Sequence, residues 1–153
     1  MEKIKSFQID HNTLMPGLYT SRVDGDITTY DLRFIRPNTP PFLSTPSMHT
    51  IEHLVATYVR SSELSDQVVY FGPMGCRTGF YLILREAVSK QQAIDLVKAA
   101  FAFAADFEGE IPGAKQIECG NYLDHDLAGA KEEAAAYVRV LEHVTVDTLT
   151  YPD

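Results

Sequence analysis

Tryptophan is missing from this 153-residue chain, and cysteine occurs only twice, at Cys76 and Cys119. Two cysteines are too few for the disulfide framework of a small secreted domain, and in a reducing compartment both are thiols free for chemistry. No run of about 18 apolar residues is there to span a bilayer, and the opening MEKIKSFQID lacks the apolar centre of a secretory signal. These absences predict a cytoplasmic protein with no membrane partner. Basic clusters are absent too, and 13 Lys and Arg against 21 Asp and Glu leave a net charge of −8. Nucleic acid is bound by clustered cations that displace counterions from phosphates, so that class is excluded in favour of small-molecule chemistry. No repeat, low-complexity stretch or dividing segment breaks the chain. With 45% hydrophobic content it can build one core, which predicts a single domain over residues 1–153.

What is present centres on His49-Thr50-Ile51-Glu52-His53. On a helix turning about 100° per residue, His49 and His53 stack on one face with Glu52 beside them, giving two nitrogen ligands and a neighbouring proton carrier. The order HxxEH is the inverse of the zinc-peptidase motif HExxH. Ile51, Leu54, Val55, Tyr58 and Val59 form an apolar stripe roughly opposite the histidines. The helix thus has one face for its core and another for chemistry, and a second subunit is a candidate to cover the latter.

Two strands, Leu18 to Val23 and Asp26 to Arg36, are expected to join at Asp24-Gly25 in a tight hairpin turn. Tyr30, Leu32 and Phe34 alternate with Asp31, Arg33 and Ile35. One face is therefore buried, and Arg33 lies on the other, as a solvated arginine or a clamp for a polar substrate. Four prolines in residues 37 to 46 make a loop, and the HxxEH helix follows, with Ser47 as its expected cap. Strands at Val68 to Phe71 and Phe80 to Arg85 flank Gly72-Pro73-Met74-Gly75-Cys76-Arg77-Thr78-Gly79, a tight turn that presents one thiol beside an arginine. Ser89 to Asp106 is a second helix, opened by a Ser89/Gln92 capping box, and Asp126 to His143 is a third. Gln116 to Asn121 and Val144 to Thr150 read as short strands.

Two histidines need a third anchor, because a catalytic zinc commonly takes three protein ligands and keeps a fourth position open. Cys119 and His125 are the suitable residues. His125 sits between aspartates at a helix start and reads as a surface or capping residue, so Cys119 is the expected ligand and Cys76 is left as an acid/base group. Thiolate and imidazole suit zinc and Fe(II) alike.

These blocks resemble one family. Ser6-Phe7 with Asp10-His11-Asn12, Asp31-Leu32-Arg33-Phe34, His49 to Leu54, Pro73 to Gly79, and Cys119-Gly120 followed by His125-Asp126-Leu127 are similar to S-ribosylhomocysteine lyases, the LuxS family. The resemblance implies metal ligands at His49, His53 and Cys119, acid/base residues at Glu52 and Cys76, and substrate-lining residues at Ser6, His11 and Arg33. It implies an α+β fold, an antiparallel sheet packed with helices, and a homodimer with its sites at the subunit interface. It further implies one divalent ion per subunit, Fe(II) as the native ion with Zn(II) able to serve, and S-ribosylhomocysteine cleaved to homocysteine and an autoinducer precursor. Tyr70 stands where some members have an acidic residue. Two other readings of the motif are an HxxEH zinc peptidase, which has no use for Cys76, and a non-catalytic, metal-stabilised interaction protein.

Overall fold

Asp24 and Gly25 do turn the chain back, with Gly25 at φ 60°, a value that a residue without a side chain adopts freely. In the computed structural model, which describes residues 1–152, this turn joins β1 (Gly17–Asp24) to β2 (Ile27–Arg33). The sheet is completed by β3 (Val68–Pro73) and β4 (Gly79–Arg85) in the order β1-β2-β4-β3, antiparallel throughout. A side chain at Gly79 would run into the Leu32 carbonyl of β2, so the close approach of β4 to β2 requires glycine there.

One face of the sheet carries Leu18, Tyr30, Leu32, Phe80, Leu82 and Leu84, none more than 3% exposed. Three helices cover it: α2 (Thr45–Arg60), α3 (Lys90–Ala105) and α4 (Leu127–Leu141), after a short N-terminal α1 (Lys5–Gln8). Ala100, Ala104, Ala130 and Ala134 are completely buried, and these small side chains let α3 and α4 approach closely. Phe34 stacks on Tyr137 with ring centroids 4.1 Å apart, and Phe101 meets both edge-on. Burying each such side chain contributes roughly 1.5–3 kcal/mol. The Tyr137 hydroxyl, also buried, donates to the Gly17 carbonyl at 2.9 Å and ties α4 to β1.

The Ser89/Gln92 capping box opens α3 as expected, and Asp126 caps α4 by accepting from Gly129. Elsewhere the structure corrects the sequence reading. Ser44, not Ser47, caps α2, because Pro46 is accommodated in the first turn, where no N–H is needed. Residues 116–121 form turns, with Cys119 N–H bonded to the Lys115 carbonyl, and the terminal segment forms a single 3₁₀ turn, Val146–Thr148. The terminal segment touches the sheet edge through one bond, from Thr20 N–H to the Leu149 carbonyl, and forms no ladder. Asp31 and Arg33 are 0% and 2% exposed, so the second face of the sheet is covered as well and Arg33 is not a solvated side chain. Among the described residues no helix is long and apolar enough to cross a membrane.

Candidate metal and thiol centre

Helix α2 turns Ile51, Leu54, Val55 and Val59 inward, each at most 1% exposed, and leaves His49, Glu52 and His53 half-buried on its other side. The His49 ring donates from Nδ1 to the Asp124 carbonyl at 2.7 Å, and His53 from Nδ1 to the Pro112 carbonyl at 2.9 Å. A carbonyl only accepts, so each Nδ1 carries the proton and each Nε2 is left as a bare lone pair. Both acceptors belong to the long connection between α3 and α4. Gly113 in it has φ 70°, and a Cβ there would stand 3.1 Å from His53 Nδ1.

The same connection delivers Cys119, whose Sγ lies 3.4 Å from His49 Nε2 and 4.0 Å from His53 Nε2. Bonds of ~2.0–2.1 Å to nitrogen and ~2.3 Å to sulfur give a tetrahedral N···S edge of ~3.5 Å. The observed separations bracket that edge, so the donors fit one divalent ion in both chemistry and spacing.

His125 also belongs to this cluster, contrary to its reading as a surface or capping residue. It and the other three residues each offer a donor atom, all within 4.8 Å of one another. Thr50 draws it in. The Thr50 hydroxyl donates to the Pro46 carbonyl and accepts from Asp126 N–H, both at 3.0 Å, so His125 Nδ1, also at 3.0 Å, must be the donor in that pair. In the neutral ring His125 Nε2 then carries the lone pair, and it is buried and without a hydrogen-bond partner. Its ring stacks on His49 at 3.9 Å and 20°. Burial first, then His49 and His53, hold its pKa below the ordinary histidine value. No local pattern reveals this, since Thr50 and His125 are 75 residues apart.

Cys76 is exposed in the turn between β3 and β4 and takes no part in the metal cluster. The turn is closed by Met74 N–H to Gly79 O at 2.9 Å and Arg77 N–H to Met74 O at 3.0 Å. Cys76 Sγ lies 3.1 Å from Thr78 Oγ1, and that oxygen accepts from Arg33 Nη1 at 2.8 Å. A hydroxyl that accepts from a guanidinium still has its own proton to give, so Thr78 is able to donate to the sulfur when Cys76 is a thiolate. Arg33 Nη2 in turn meets Asp31 Oδ2 at 2.7 Å, a buried ion pair. Burial works against the Arg33 charge, but Asp31 outweighs it and Cys76 adds to it, so its pKa is raised.

Helix α2 and the thiol turn face each other across a cavity of about 420 Å³, lined by His49, Glu52, Met74, Gly75, Arg77 and Asp124 among others. Ser6 lies in α1, and His11 bonds through Nδ1 with the Ile9 carbonyl at 2.9 Å. Among the described residues no hydrogen bond joins either of them to Cys76 or to the imidazole cluster.

Residues 4–147 match the family described as S-Ribosylhomocysteinase (LuxS). The chain is 50% identical to the S-ribosylhomocysteine lyase of Phocaeicola vulgatus, over 99% of its own length and 98% of the relative's. It is 47% identical to the S-ribosylhomocysteine lyase of Finegoldia magna over the whole of both chains. With that of Borreliella burgdorferi it shares 45% identity, over 99% of this chain and all of the relative.

Proposed function

The chain belongs to the S-ribosylhomocysteinase (LuxS) family, and from that membership we propose that it is a carbon–sulfur lyase that splits the thioether of S-ribosylhomocysteine. The products are homocysteine and 4,5-dihydroxy-2,3-pentanedione, an autoinducer precursor, so the reaction both feeds a signal and returns homocysteine to the methyl cycle. The carrying observation is a His/His/Cys/His cluster on one side of a cavity whose other side is the turn that bears a separate thiol, Cys76. A peptidase needs no such thiol, and neither alternative reading of the motif is favoured by the family match.

His49, His53 and Cys119 are the proposed ligands of one divalent ion per subunit. His125 stacks nearly parallel to His49, so their lone pairs run side by side and do not converge on one point. It would serve as a wall behind His49, and three protein ligands would leave a bound ion room for a substrate oxygen. Fe(II) is the proposed native ion, with Zn(II) able to replace it. When bound, the ion supplies Lewis acidity to the sugar-chain oxygens.

The protein's own groups move the protons. Cys76 as thiolate removes a carbon-bound proton next to the carbonyl and returns one to the adjacent carbon, and Glu52 exchanges protons with the oxygens and with a later carbon. Two such shifts carry the carbonyl along the ribose chain until the C–H beside it lies β to sulfur. Removing that proton forms a carbon–carbon double bond and breaks the C–S bond, so homocysteine leaves as thiolate and the enol reverts to the diketone. The carbonyl migration is internal, so no redox cofactor is needed.

Arg33, Ser6 and His11 are proposed to line the substrate. Because no hydrogen bond joins Ser6 or His11 to the cluster among the described residues, a second copy is proposed to bring them to it across a homodimer interface. Phe7, Ile117 and Leu123 support this, being 65%, 94% and 78% exposed on the N-terminal and metal-carrying segments. The cytoplasm is the proposed location, in keeping with two free thiols. The deciding test mixes protein with S-ribosylhomocysteine and reads released thiol with Ellman's reagent. Release that chelation abolishes is the expected result, and absence of release from fully metallated protein excludes the assignment.

A further inference from the structure

We propose that Tyr151, in the C-terminal tail, is a positioning residue for the Cys76 thiol, acting through Asp31, Arg33 and Thr78. The tail is fixed on the second face of the sheet. Thr20 N–H donates to the Leu149 carbonyl at 2.7 Å, and the Tyr151 ring stacks on Tyr19 with centroids 5.0 Å apart and planes at 23°. From there the Tyr151 hydroxyl donates to Asp31 Oδ2 at 2.7 Å. That oxygen is the one which also takes Arg33 Nη2, and Arg33 Nη1 continues to Thr78 and so to Cys76. An unbroken chain of hydrogen bonds thus runs from Tyr151 to the thiol.

The unpartnered atoms show what the tyrosine does. Asp31 Oδ1 and Arg33 Nε are both buried and both lack a hydrogen bond. An isolated arginine and carboxylate close up fork to fork, with two parallel N–H···O bonds. Here the pair makes one contact through Nη2, and Tyr151 takes up the remaining capacity of the shared oxygen. That arrangement leaves Nη1 turned toward Thr78. Without the hydroxyl, Asp31 has only Arg33 to satisfy it, and the guanidinium rotates to offer Nε and Nη2 together. Nη1 then leaves Thr78, and the donor at the sulfur is no longer held. Burial and Asp31 keep the Tyr151 hydroxyl protonated far above its ordinary range, so it remains a donor at any working pH.

Tyr151→Phe keeps the ring stack and removes only the O–H. In the metallated protein, Cys76 alkylation by iodoacetamide, resolved from Cys119 by peptide mass spectrometry, should slow by about three- to tenfold. Turnover should show kcat reduced by a similar factor. Metal content and melting temperature should stay near those of the unaltered protein. A chain ending at Thr150 asks the same question by deletion, should the phenylalanine variant fold poorly. Cys76 alkylation at the unaltered rate in either variant overturns the proposal, as does a loss of activity with no change in alkylation. The proposal rests on Cys76 as the proton-transfer thiol, yet alkylation is read without substrate. A protein that fails to cleave S-ribosylhomocysteine therefore defeats the functional assignment alone.

Discussion

The imidazoles of the metal cluster and the thiol of the β3–β4 turn are held by different kinds of partner. His49 and His53 each give Nδ1–H to a main-chain carbonyl of one connection, whereas Cys76 is reached through three side chains in series, Thr78, Arg33 and Asp31. Carbonyl acceptors remain whatever side chain their residue bears, so the metal side yields mainly to changes in the path of the backbone. On the thiol side every link is a replaceable side chain and two links are charged. One substitution there travels along the whole series.

Removing each sulfur gives the sharpest separation. Cys76→Ala should keep the metal by elemental analysis and lose thioether cleavage by about 10²–10⁴-fold, the range of a general acid or base, while Cys119→Ala should lose the ion itself. Equal metal loss in both would erase the distinction between the two sides. Arg33→Met comes next. It leaves Asp31 as an uncompensated buried charge, at about 3–5 kcal/mol, and should lower the melting temperature by roughly 10 °C in a chain of this size. Metal content should not follow, and if it does the two halves are coupled.

Gly113→Ala attacks the metal side through its backbone. The positive φ and the contact with His53 together should weaken metal retention about tenfold in a chelator competition and destabilise by about 1–2 kcal/mol. Cys76 alkylation should be unchanged. The smallest effect is expected from Thr50→Val, which strands the Asp126 N–H and the His125 Nδ1–H. We expect a loss of about 1–2 kcal/mol with metal affinity lowered only about threefold, since His125 backs the ligands and is not one of them. A loss as large as that of His49→Ala would make His125 a ligand.

Helix α2 was legible from its residues because its apolar and chemical faces follow one helical period, and the hairpin was legible because Asp24-Gly25 has one easy way to turn. The connection that brings Cys119 has no period at all, so that residue is reached from the sequence by its ligand chemistry and by the family resemblance and not by spacing, and its turns read as a strand. His125 was misplaced for a related reason. Asp126 does cap α4, as its position implied, but the inward pull comes from Thr50, far away in sequence. Arg33 defeated the alternation rule because the chain's last residues cover the face that the rule leaves open, and Tyr151 is 120 residues from its partner Asp31.

The bonds from His49 and His53 to the Asp124 and Pro112 carbonyls fasten the α3–α4 connection to α2 on both sides of Cys119, and neither bond involves an ion. The connection is therefore held to α2 by bonds of the protein's own, and treatment with a chelator should leave the circular dichroism almost unaltered.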